Sequence, residues 1–223
     1  MQKQLETMEE EECILRPMNC ELNQLSRPDG STMFMQGDTV VVAGIYGPIE
    51  AKLQKMMHDR ATVETIFSPA KGPPCVDDRL KETVIKETCE AVLLTALHPG
   101  MAISINVQEL QDSGGLLACA INAACLALMN SSISMKFTVA AVSCMIDRES
   151  GKLIIDPDST QIQHARVTFT YVFEGIKKDL VSCHTTGRFS ENELMESLEK
   201  CRAASQNIFN FYRNIVEQYA IKL

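Results

Sequence analysis

Residues 114–130, GGLLACAINAACLALMN, place apolar side chains almost all the way round a helical wheel. Such a helix has no face to offer water, so it is buried. The rest of the chain must cover it. With 223 residues there is enough chain for a sizeable core, in one large domain or two small ones. The 45% hydrophobic and 22% charged content is ordinary for a globular protein and leaves no room for collagen, disorder or a coiled coil.

The flanking sequence supplies strands. CILRPMNCELN interleaves apolar and polar residues, and RPDG at 27–30 is strong turn chemistry. A strand then ends at Gln36, Gly37 and Asp38 turn, and 39–46 is a near-continuous apolar strand, which together predict a β-meander. ATVETIF is β-branched and aromatic and predicts another strand. Residues 69–78 form a loop rich in Pro and Gly. Apolar residues at three- and four-residue steps predict a helix over 79–98, stopped by HPG, with a strand over 101–110 beyond it. After the central helix, 136–147 and 152–155 predict a hairpin turned by RESG, 156–165 is polar and irregular, and 166–174 with 177–186 predict a second hairpin. Ser190 with Glu193 is a capping box, opening a terminal helix that runs to about Tyr219. This order predicts an α+β fold with helices packed on sheets. Residues 1–12, with four glutamates at 9–12, read as a flexible acidic tail, and 13–223 as a single domain.

Composition narrows the function. The net charge of -8 lacks the basic surplus of a stand-alone nucleic-acid binder. Nine cysteines without a CxxC pair argue against a zinc ribbon and for a reducing compartment. No run approaches the ~18 apolar residues of a membrane span, and no signal-peptide core is evident. The histidines, His58, His98, His164 and His184, form no HExxH, and Cys183 and His184, adjacent on a strand, face opposite ways. In the terminal helix, Ile208, Phe209, Phe211, Tyr212, Ile215, Val216 and Tyr219 make a wide apolar face, with Phe211 and Tyr212 able to reach a partner.

The start of the central helix carries the sharpest signal. QDSGGLL is a two-glycine loop opening a helix, a common cradle for phosphate because free backbone N–H groups point at the anion. A working cradle usually adds Arg, Lys, Ser or Thr, and this one adds Leu116 and Leu117.

RPMNCELNQLSRPDGSTMFMQGDTVVVAGIYGPIE, KETCEAVLLTALHP, QDSGGLLACAINAACLALM, LIIDPDSTQ and CRAASQNIFNFYR, in this order, resemble the RNase PH family over residues 14–219. Within it the chain is similar to the non-catalytic ring subunits of the eukaryotic RNA exosome. The resemblance implies a βαβα fold of the ribosomal protein S5 domain 2 type and a place in a six-membered ring. It implies other RNase PH-like subunits and S1/KH cap subunits as partners, and RNA threaded through a channel. It also implies support of 3′-to-5′ processing in rRNA maturation and mRNA turnover, in nucleus, nucleolus and cytoplasm, without a cofactor. The active loop of the family resembles D-G-G-T-R-T. Laid on Asp112, Ser113, Gly114, Gly115, Leu116 and Leu117, it puts the phosphate-binding arginine on Leu116, which has neither donor nor charge. Active members also hold a divalent metal on acidic residues. Those positions fall on Ile154 and Thr160, leaving Asp156 and Asp158 around Pro157. Where the family often has a Pro-Arg pair for RNA, this chain has Pro99-Gly100, and Lys71, Arg79 and Lys81 remain as RNA-binding candidates. The rivals are a phosphate-dependent or metal-dependent 3′-to-5′ exonuclease, the latter on Asp156 and Asp158, and a homodimer that binds nucleic acid outside the exosome.

Overall fold

The computed structural model describes residues 15–222. The acidic stretch 1–12 lies outside the described residues. The meander appears as β1 (Met18–Leu22), β2 (Gly30–Gln36) and β3 (Thr39–Glu50). β4 (Thr62–Ser68) and β5 (Met101–Gln111) complete a five-stranded sheet in the order β1-β2-β3-β5-β4. Only β4 and β5 are parallel, and a parallel pair needs a long crossover. Helix α1 (Val76–Val92) provides it. After α2 (Leu116–Asn130), strands β6 (Val139–Asp147), β7 (Leu153–Ile155), β8 (Ala165–Glu174) and β9 (Leu180–Gly187) form a four-stranded antiparallel sheet in the order β7-β6-β8-β9. A short α3 (Ser159–Ile162) interrupts it, and α4 (Glu191–Lys222) ends the chain.

Helix α2 packs on β2 and β3 of the first sheet and on β6 of the second. Being covered by both sheets accounts for its all-round apolar pattern. Its alanines and cysteines are small, which lets both sheets come close. Strand β6 has α2 and α4 against it, so every residue except Asp147 is buried and no polar alternation shows in its sequence. The capping box at Ser190 is present: the Ser190 N–H donates to the Glu193 carboxylate at 2.8 Å, and Glu193 also pairs with Arg166.

Several predicted boundaries are corrected. Helix α1 starts at Val76 instead of residue 79, because the Asp78 carboxylate accepts the Cys75 N–H at 2.9 Å and closes the first turn. It ends at Val92, well before residue 98. There Leu93 turns extended and bridges to Met135, while the N–H groups of Leu94 and Lys136 donate to the carbonyls of Ser134 and Val92. A pairing with a distant stretch of the same chain, absent from any local window, thus stops the helix. The segment 156–165 is not wholly irregular, since Asp158 caps α3. Tyr212 is not available to a partner. It is 3% exposed, and its hydroxyl donates to Asn122 Oδ1 at 3.0 Å. Phe211 packs edge-on against Phe34.

Candidate functional site

The loop from β5 to α2 is built from its own polar atoms. The Asp112 carboxylate accepts the Gly114 N–H at 2.9 Å, an Asx turn. The Thr39 hydroxyl accepts the Ser113 N–H and donates to the Gly114 carbonyl at 2.7 Å, pinning the loop to β3. Gly114 and Gly115 have φ of +104° and +64°, in the left-handed region. A Cβ on Gly114 would sit 2.4 Å from the Pro157 carbonyl oxygen, and one on Gly115 would sit 2.8 Å from Ser143 Oγ. The two glycines therefore let this loop press against 156–158 and β6. Gly115 then occupies the N-cap of α2 without a side-chain cap. The next side chains are apolar: Leu116 is buried in the core, and Leu117 packs against it half-buried.

The Asp156 and Asp158 side chains flank this loop from the other sheet, and both carboxylates face Arg16. Asp156 is buried with φ +52°. Its Oδ1 accepts Arg16 Nη2 at 2.6 Å, and its Oδ2 accepts both the Arg16 backbone N–H and Gln36 Nε2 at 2.9 Å. Arg16 Nη1 reaches Asp158 Oδ1 at 3.3 Å and the Ser113 carbonyl at 3.1 Å, while Nη2 also donates to the Gly114 carbonyl at 3.0 Å. Burial pulls the guanidinium pKa down. The hydrogen bond and charge of Asp156, followed by the charge of Asp158, outweigh this and hold it above the ordinary arginine value. Ile154 and Thr160 lie apart from this cluster. Ile154 pairs with Met145 in the sheet and Thr160 is exposed on α3. Among the described residues, no three His, Cys, Asp or Glu side chains converge as a metal site.

A cavity of about 220 Å³ opens beside the loop, lined by Lys81, Asp112, the 114–117 turn, Ser143, Phe169 and His184 among others. It thus brings one RNA-binding candidate, Lys81, to the glycine loop. That lysine is engaged, pairing with Asp78 at 3.2 Å and lying 5.4 Å from the Phe67 ring centroid. Arg79 is exposed and pairs with Glu82 at 3.0 Å, and Lys71 is exposed on the preceding loop. Burial first and then the charge of Asp112 push the Glu109 carboxyl up. The Cys119 thiol is pushed far up by burial, which removes it as a nucleophile.

Arg16, Gln36 and Thr39 are the residues that sequence reasoning missed. Arg16 lies in the RPMNCELN stretch, and nothing in a linear sequence separates a half-buried arginine from a solvated one. Gln36 and Thr39 flank the Gly37-Asp38 turn, where polar residues are expected for the turn alone.

Comparison with known proteins bears on the same elements. Residues 14–134 match the RNase PH family, described as 3′ exoribonuclease family, domain 1. A rice protein named exosome complex exonuclease RRP46 homolog is 30% identical over 222 residues, covering 92% of this chain and 93% of its own length. The crystal structure of rice Rrp46 superposes with a TM-score of 0.88 at 31% identity, covering 92% of this chain and 97% of that one. A chain of the Archaeoglobus fulgidus exosome, solved with RNA bound to the active site, gives 0.79 at 18% identity, covering 90% and 89%, and shares the fold.

Proposed function

This chain belongs to the RNase PH family of 3′ exoribonucleases, and from that premise we propose that it is a non-catalytic ring subunit of an RNA exosome. Its role is to frame the ring and the RNA channel that serve 3′-to-5′ processing by a nuclease elsewhere in the assembly. Its partners are other RNase PH-like subunits, S1/KH cap subunits and RNA inside the assembled channel. Relatives named as exosome components, each matched over nearly its whole length, support the ring role.

One observation carries the loss of catalysis: the phosphate loop keeps its shape and lacks its charge. The glycine turn and the helix N-terminus are in place, but Leu116 turns into the core where the family's arginine would present a planar cation. An uncapped helix N-terminus alone offers roughly 0.3–1 kcal/mol to an anion, and the nearby Asp112 opposes even that. Exposed apolar residues of the first sheet, Ile49 near the end of β3 and Ile66 on the edge strand β4, are compatible with ring neighbours.

The purified protein, given labelled RNA, inorganic phosphate and magnesium, is expected to release no nucleoside diphosphates. Their release would overturn the non-catalytic assignment. Tagged protein recovered from its own cells is expected to elute in a particle many times its own mass, with other RNase PH-like subunits identified by mass spectrometry. Recovery solely as monomer or homodimer would overturn the ring assignment and favour a homodimer acting outside the exosome.

A further inference from the structure

The resemblance places the family's metal positions on Ile154 and Thr160, and the two aspartates that remain beside the glycine loop, Asp156 and Asp158, already have a cation. We infer that Arg16 is the resident counter-ion of this carboxylate pair and keeps the site closed to divalent ions. The inference deepens the non-catalytic reading and rests on it for the site's location.

The oxygens present would otherwise suit a hard cation. Two carboxylates and the carbonyls of Ser113 and Gly114 line this spot, and oxygen groups of this kind bind Mg²⁺ or Mn²⁺. One guanidinium contacts all four groups, two through Nη1 and two through Nη2. Both oxygens of Asp156 are committed, one to Nη2 and the other to the Arg16 N–H and Gln36. The Asp156 side chain is only 1% exposed and that of Arg16 15%, so water screens the pair weakly. A divalent ion entering here would meet a fixed positive charge. Displacing that charge requires the side chain to leave Oδ1 of Asp156, while Oδ2 stays with the Arg16 N–H and Gln36. The left-handed backbone of Asp156 adds a further constraint, since the network keeps a non-glycine residue at φ +52°. Arg16 thereby fastens the entry to β1, the β5–α2 loop and the β7–α3 turn with one group.

Thermal unfolding of the full chain tests this with Mn²⁺ as the probe. The wild-type protein is expected to give the same Tm in EDTA and in millimolar Mn²⁺. Arg16→Met is expected to lower the Tm in EDTA by about 6 °C or more, as breaking a buried pair in a chain of this size should. Mn²⁺ should then recover part of that loss, because the oxygens have lost their cation. Arg16→Lys, which keeps the charge without the fork, is expected to fold with an intermediate Tm and still ignore Mn²⁺. A Mn²⁺-dependent rise in wild-type Tm that Asp156→Asn abolishes would overturn the inference, whether or not Arg16→Met folds. A wild-type chain that ignores Mn²⁺ yet releases nucleoside diphosphates overturns the non-catalytic reading alone. One that binds Mn²⁺ through Asp156 and releases none overturns this inference alone.

Discussion

Asn122 sits fully buried in the middle of α2 and uses both ends of its amide. Its Nδ2 donates to the Ala141 carbonyl at 3.0 Å, and its Oδ1 accepts the Ala141 N–H at 2.8 Å and the Tyr212 hydroxyl. One side chain thus joins α2, β6 and α4. Buried polar groups left without partners cost more than the bonds themselves contribute. Asn122→Ala is therefore expected to destabilise the protein by about 3 kcal/mol in urea unfolding. Tyr212→Phe, which removes a donor and leaves Asn122 with its two backbone bonds, should cost about 1 kcal/mol. Comparable losses from the two would place the weight on the α4 contact and sink the assignment of Asn122 as the joint.

At the scale of elements, the start of α1 carries a pH signature. The Asp78 carboxyl is held below the usual carboxylate range by its hydrogen bonds from Cys75, the backbone N–H first, with a smaller contribution from Lys81. A depressed folded-state pKa gives stability that is complete above the unfolded value of about 3.9 and is lost as pH falls through the folded value. Wild type and Asp78→Asn should differ by about 1 kcal/mol at neutral pH, the usual worth of a helix cap. The difference should shrink towards zero in acid, below about pH 3. A pH-independent difference in denaturation midpoints would show that packing, and not the carboxylate charge, holds this helix end. The same helix shows why its far end was misjudged. Its apolar spacing continues past Val92, but Leu93 is drawn into an extended pairing with Met135.

For the whole molecule, three devices tie the sheets together: α2 between them, the Arg16 network at one end, and α4 along the side. Helix α4 reaches from the second sheet, where Ser197 and Tyr171 share a hydrogen bond at 2.7 Å, to the first, where the Tyr219 hydroxyl accepts the Leu22 N–H at 3.1 Å. Neither sheet keeps its inner face covered without α2. The chain should therefore unfold in one cooperative transition, with far-ultraviolet and near-ultraviolet circular dichroism coinciding. Two separated transitions would show that the sheets are independent units and that the ties are weak.

The sequence by itself determined the α+β order, the burial of α2, the meander, both hairpins and the terminal capping box. Each of these is written in local periodicity or turn chemistry, which act over a few residues. It also placed two apolar side chains, Leu116 and Leu117, directly after the glycines at a helix N-terminus, because these residues are contiguous in the chain. Only the tertiary structure decided what the two aspartates hold. Arg16 and Asp156 are 140 positions apart, and whether an arginine is solvated or paired depends on which strand edge and which loop meet when the sheets close over α2. Local sequence fixes the elements because their forces are short-ranged along the chain, whereas the cation at this site is chosen by groups that become neighbours only in space.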